Sequence, residues 1–213
     1  MKALFLNIIL LIVAVSATAQ IRPVESLPIA VNYSKTIHLI FPSAVKYSQA
    51  VTDFVAVDNP ENVPHILRIK ANSKSFSKQT TVSVATEGGF FYSFNVSYAD
   101  SLEQTNYFLP GMTSINPDTV FINEVSQTHL IAPEKVIYID YGDTCINVSK
   151  AENTENIIRM IARTGSVQQF PKQTNVSFAT ESGRFFTFNV DYRDKPDAFV
   201  YGVSPTFTTN VTI

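Results

Sequence analysis

Between Phe90 and Tyr98 apolar and polar positions alternate: Phe90, Tyr92, Phe94, Val96 and Tyr98 point one way, Phe91, Ser93, Asn95 and Ser97 the other. A strict period of two over this length predicts a half-buried β-strand. Thr81-Val82-Ser83-Val84 alternates in the same manner, and Glu87-Gly88-Gly89 between the two runs supplies the glycine of a tight turn. The pair reads as an antiparallel hairpin with one apolar face. Further strands are expected over Thr36–Phe41, Phe54–Val57 and His65–Ala71; in the last, Leu67, Ile69 and Ala71 face one way, Arg68 and Lys70 the other. Pro42, Pro60 and Pro64 punctuate the connections.

The same pattern is written twice. Lys78 to Asp100 matches Lys172 to Asp194, 94 residues later, with 15 of 23 positions identical, which establishes an internal duplication. In the second copy Phe186, Phe188, Val190 and Tyr192 form the apolar face, Thr187, Asn189 and Asp191 the polar one, and Glu181-Ser182-Gly183 the turn. Upstream, Glu61-Asn62 pairs with Glu155-Asn156 and Leu67-Arg68 with Ile158-Arg159. Lys35-Thr36-Ile37-His38-Leu39 aligns with Lys135-Val136-Ile137-Tyr138-Ile139. The one stretch resembling a helix, Glu152–Ile161, aligns with the Arg68 strand and is read as β. An isolated hairpin cannot hide an apolar face, so each copy must add strands. The expectation is an all-β chain of two tandem repeats of a small antiparallel β-sandwich or barrel-like unit. The units span 20–100 and 131–194, joined by a partly ordered linker at 101–130 and followed by a segment, 195–213, with room for a final strand.

The N-terminus changes the picture in one respect. Lys2, the apolar run Leu4–Val15 broken only by Asn7, and Ala17-Thr18-Ala19 before Gln20 have the layout of a cleaved signal peptide, residues 1–19. The run is short for a membrane span. The chain has 16 basic and 18 acidic residues, a net charge of −2, which gives no electrostatic drive toward nucleic acid. Its single cysteine, Cys145, excludes an internal disulfide. An exported protein without disulfides rests on its packed core, and Cys145 is read as a small buried apolar residue.

Chemistry-bearing groupings are missing from the sequence. His38, His65 and His129 lack metal-ligand spacing, and there is no phosphate loop or nucleophile elbow. No catalytic residue, metal site or cofactor is expected, and the chain reads as a non-enzyme. Five Asn-x-Ser/Thr triplets, at Asn32, Asn95, Asn147, Asn175 and Asn210, follow from the Ser/Thr/Asn-rich β composition. Four positions stand out as candidate partner contacts. Arg68 and Arg159 recur between apolar neighbours, either as surface positions or as anchors for a partner's carboxylate. Phe91 and Phe185 place an aromatic on the otherwise polar side of each hairpin.

Lys35-Thr36-Ile37-His38-Leu39-Ile40-Phe41-Pro42-Ser43-Ala44-Val45-Lys46-Tyr47, followed by Glu61-Asn62, Leu67–Ala71, Thr81–Val84 and Phe91–Val96 with Tyr98, resembles in order and spacing the TraN-type conjugative transposon proteins of Bacteroidetes. The resemblance covers Lys35–Asp100, and Lys135–Asp194 more loosely; here the second half repeats the first in place of the family's longer C-terminal part. It implies an exported, non-enzymatic component of the conjugative, type IV secretion-like apparatus, in the periplasm or associated with the outer membrane without spanning it. Its implied partners are other envelope subunits or another copy of itself, with no direct contact to DNA. The residues leave a second reading open: a cell-surface adhesin or carbohydrate-binding β-module, with Phe91 and Phe185 as the aromatics to examine.

Overall fold

The computed structural model describes residues 24–165, 168 and 170–204. The expected signal peptide, the Asn210 triplet and the end of the C-terminal segment lie outside them. Among the described residues there are sixteen strands. The first eight are β1 (Leu27–Val31), β2 (Ile37–Ile40), β3 (Val45–Ala50), β4 (Val55–Asp58), β5 (Ile66–Ala71), β6 (Thr80–Thr86), β7 (Phe91–Tyr98) and β8 (Asn106–Phe108). The second eight are β9 (Thr119–Ile122), β10 (Thr128–Ile131), β11 (Val136–Tyr141), β12 (Ile146–Lys150), β13 (Ile157–Ala162), β14 (Thr174–Thr180), β15 (Phe185–Tyr192) and β16 (Val200–Gly202).

They form four four-stranded sheets, two per repeat. β1-β7-β6-β3 and β4-β5-β2-β8 make the first sandwich, β11-β14-β15-β9 and β12-β13-β10-β16 the second. The alternating apolar residues do what their period requires. Ile37, Leu39, Leu67, Ile69, Val82, Val84, Phe94 and Val96 close the first core, and Val120, Leu130, Ile146, Ile158, Met160, Val176, Phe178, Phe186 and Val190 the second. Both hairpin turns place a glycine, Gly89 and Gly183, at φ of 80° and 81°, in the left-handed region where a Cβ is penalised. Phe90 belongs to the turn and is exposed; its strand begins at Phe91.

Two expectations are corrected by the pairing. The stretch 101–130 is not a linker. It contributes β8 to the first sandwich and β9 to the second as parallel edge strands, and most of β10, which runs antiparallel to β13; their short length concealed them. The equation of Lys35–Leu39 with Lys135–Ile139 also fails. β2 pairs with β5, setting His38 opposite Arg68, as β10 pairs with β13, setting His129 opposite Arg159. β11 instead corresponds to β3: both are bulged and pair with the sixth strand of their repeat, Tyr47 opposite Ala85 and Tyr138 opposite Ala179. The counterpart of His38 is therefore His129, and that of Tyr138 is Tyr47. The segment Glu152–Ile161 contains no helix, and β13 runs through its end.

Candidate functional site: the joint between the sandwiches

The side of β5 that carries Arg68 and Lys70 is half-buried. It packs, with His38 and Ile40 of β2, against the polar side of β11, β14 and β15. The four sheets thus stack in one pile. β14 is buried along its whole length, on both faces, because one face closes the second core and the other meets the first sandwich.

The joint has an apolar half and a polar half. Ile40, Val63, Ile66 and Phe108 from the first repeat enclose Tyr138, Ala179 and Phe185 from the second. Beside them His38, fully buried, lies between two aromatics, its ring 5.0 Å from that of Phe185 and edge-on to Tyr138. His38 Nε2 is 3.1 Å from Tyr138 Oη and 3.4 Å from Asp140 Oδ2. Arg68 Nη1 donates to Asp140 Oδ1 at 2.7 Å, and Nη2 pairs with Asp58 on the neighbouring strand. Burial pushes the Asp140 carboxyl up, but His38 and the Arg68 guanidinium outweigh it, and the group is held below its ordinary range. Burial opposes the charge on Arg68 too, yet Asp58 and Asp140 raise its pKa further.

At the polar half Asn175 acts as a substitute strand. Its amide accepts from Thr36 N at 2.9 Å and donates to Thr36 O at 2.9 Å. Lys35 is buried and uses all three ammonium protons: on Leu102 O at 2.9 Å, Gln173 Oε1 at 3.1 Å and Asn189 Oδ1 at 2.8 Å. Desolvation lowers its pKa, against the opposing pull of Asp191. Thr174 Oγ1 donates to Ser34 O at 2.7 Å, and Asn62 Nδ2 to Ile137 O at 2.5 Å. Gly142 sits in the closest approach: a Cβ there would come within 3.0 Å of Ser34 O, Asn175 Oδ1 and Lys35 Cα. The buried polar groups of the joint are thus largely satisfied across it, which makes the docking specific as well as cohesive.

The four candidate contact residues sort into two pairs. Arg68 and Phe185 lie in the joint. Phe91, the repeat counterpart of Phe185, is exposed on the outer face of β1-β7-β6-β3. Arg159, the counterpart of Arg68, is half-exposed on the outer face of β12-β13-β10-β16, where its Nε donates to Ser149 Oγ at 2.8 Å. Sequence reasoning passed over His38, Lys35, Tyr138, Asp140 and Asn175. Alternation shows that a strand has a polar face but not whether that face meets water or a second polar sheet.

Among the described residues no group of three or more His, Cys, Asp or Glu side chains is placed to hold a metal. Cys145 is buried in the second core; desolvation, with Asp143 beside it, pushes its thiol up to about 12. A cleft of about 410 Å³ opens at the edge of the joint, with Phe108, Phe185, Phe188 and Ile115 among its walls and Asn106 and Asp118 at its polar side.

No curated protein matches the chain. Among solved structures, an endo-fucoidan hydrolase from glycoside hydrolase family 107 is similar at 7% identity and a TM-score of 0.26, over 85% of this chain and 28% of that one. SGBP-B of the Bacteroides ovatus mixed-linkage glucan utilization locus, in complex with a mixed-linkage heptasaccharide, is similar at 10% identity and a TM-score of 0.23, over 83% and 46%. SporoSAG in its cadmium-bound structure is similar at 9% identity and a TM-score of 0.24, over 78% and 94%. The chain spans less than half the length of the first two, and similarity at this level carries no inference of shared activity. The duplication has an independent counterpart at family level, because one domain family matches twice, at residues 29–102 and again at 120–196. Each match falls on one sandwich, and the chain belongs to the DUF8473 family, a domain of unknown function.

Proposed function

We propose that this chain is an exported, non-enzymatic structural subunit of a bacterial envelope assembly, serving the conjugative transfer apparatus that its sequence resembles. One observation carries the structural part of this reading: the side chains that a binding or catalytic site would use are spent in the joint. Arg68, Asp140, His38 and Lys35 hold one sandwich against the other, so the product of the sequence is a stiff pile of sheets that offers broad faces. The sequence resemblance supports the placement in a transfer machine, and the N-terminal pattern supports export.

The test is made in the cells that carry the gene. N-terminal sequencing of the envelope fraction should find Gln20 first, and in-cell cross-linking should join the protein to other transfer subunits. Deleting the gene should abolish transfer of the mobile element. A protein retained in the cytoplasm, or transfer unaffected by deletion, would overturn the reading.

The cleft beside Phe108, Phe185 and Phe188 favours a second reading, a carbohydrate-binding β-module, since it combines aromatic walls with the polar Asn106 and Asp118. Glycan-array binding lost on Asp118→Ala would support it; an empty array would remove it.

A further inference from the structure

The joint within the chain is directional. The outer face of β4-β5-β2-β8 meets the outer face of β11-β14-β15-β9, and these two are not repeat counterparts. Their counterparts lie at the ends of the pile. β12-β13-β10-β16 corresponds to the first by the pairing of His129 with Arg159, and β1-β7-β6-β3 to the second by the pairing of Tyr47 with Ala85. A contact between unlike faces leaves one of each kind unsatisfied, and such contacts propagate unless rotation closes them into a ring. We propose that copies of this chain associate head to tail, the outer face of β12-β13-β10-β16 on one copy seating against the outer face of β1-β7-β6-β3 on the next.

Part of the apolar half of the joint is present at both ends, with Gly202 standing where Phe108 does and Lys46 where Ile137 does. Phe185 and Tyr138 have as counterparts Phe91 and Tyr47, 51% and 46% exposed. Ile40 and Ile66, which receive them inside the chain, have as counterparts Ile131, 39% exposed, and Ile157. Burying these four gives the contact its apolar anchor.

The polar half is changed, always toward neutral groups. Asp140 is replaced by Gln49, Asp58 by Ser149, Asn175 by Thr81 and Lys35 by Ser126. Arg159, with Glu152 of its own copy 3.9 Å away, then faces an amide in place of a carboxylate. Where Gly142 approaches Ser34, the counterparts are Val51 and Val125, both exposed. An apolar pair there holds the corner wider than in the chain. The contact between copies is therefore looser than the internal joint, and reversible. The inference does not depend on which machine the subunit serves.

The test needs no other partner: the purified protein is followed by analytical ultracentrifugation from micromolar to millimolar concentration. The expected result is a concentration-dependent series that continues past the dimer. Phe91→Asp and Ile131→Asp each disable one end at an exposed position, and each should weaken association about tenfold or more, as losing an interface anchor does. Mixed together, the two variants should form a dimer and stop, because each keeps the face that the other lacks. Thermal melting confirms that both remain folded. A monomer at every concentration, a closed dimer, or association indifferent to both substitutions overturns the proposal.

Discussion

At the scale of single residues the joint turns on Asp140. Its side chain is 10% exposed; Arg68 bonds one of its oxygens, and His38 lies beside the other. Removing the charge leaves a half-buried guanidinium with only the exposed Asp58 as an acidic partner. Asp140→Asn should cost about 1–3 kcal/mol, less than a fully buried pair because Arg68 is one-third exposed; the urea midpoint reads it. The same residue sets an acid dependence. Its pKa is depressed in the folded protein, so its contribution is complete above the ordinary carboxylate value of about 3.9 and is lost as pH falls through the depressed folded value. Wild type should therefore lose stability faster than Asp140→Asn in this acid window, and parallel pH profiles would remove the assigned role. Little of this was legible from sequence. Arg68 stands out because it recurs, but His38 does not, since the sequence alignment sets it against the very tyrosine it touches.

At the scale of elements, legibility followed length and regularity. The hairpins β6-β7 and β14-β15 were readable because seven and eight residues of alternation and a turn glycine agree. β8, β9 and β16 have three or four residues each, too few for a period to declare itself, and they are held by parallel pairing to strands distant in sequence. The contact of β11 and β14 with the first sandwich left one trace, Gly142, placed where two backbones approach. Gly142→Ala should destabilise by about 1–3 kcal/mol through overpacking, because Ser34 and Lys35 meet the new Cβ with backbone atoms that cannot rotate away. Gly202→Ala is the control: nothing lies within 4 Å of its Cβ position, and its melting temperature should not fall.

At the scale of the whole molecule the question is whether two cores behave as one cooperative unit. Each sandwich has its own apolar interior, and Phe178 anchors the second, stacked on Phe186 at 4.9 Å and on Phe188 at 6.1 Å. If the second sandwich unfolded alone, the first would expose Ile40, Ile66 and Phe108 to water, and Lys35 would lose its acceptors Gln173 and Asn189. That penalty ties the two cores together. Phe178→Ala, expected to cost about 3–5 kcal/mol, should therefore lower the protection of amides in both sandwiches when followed by native-state hydrogen exchange. Combining it with Gly142→Ala and Asn175→Ala, which loosen the joint, should restrict the loss to β9–β16 and return β1–β7 to their own protection. If Phe178→Ala alone affects only the second sandwich, the joint is a contact between independent domains. If both lose protection together even in the triple variant, coupling runs through the apolar half, around Phe185 and Ile40, and the polar bonds contribute direction more than strength.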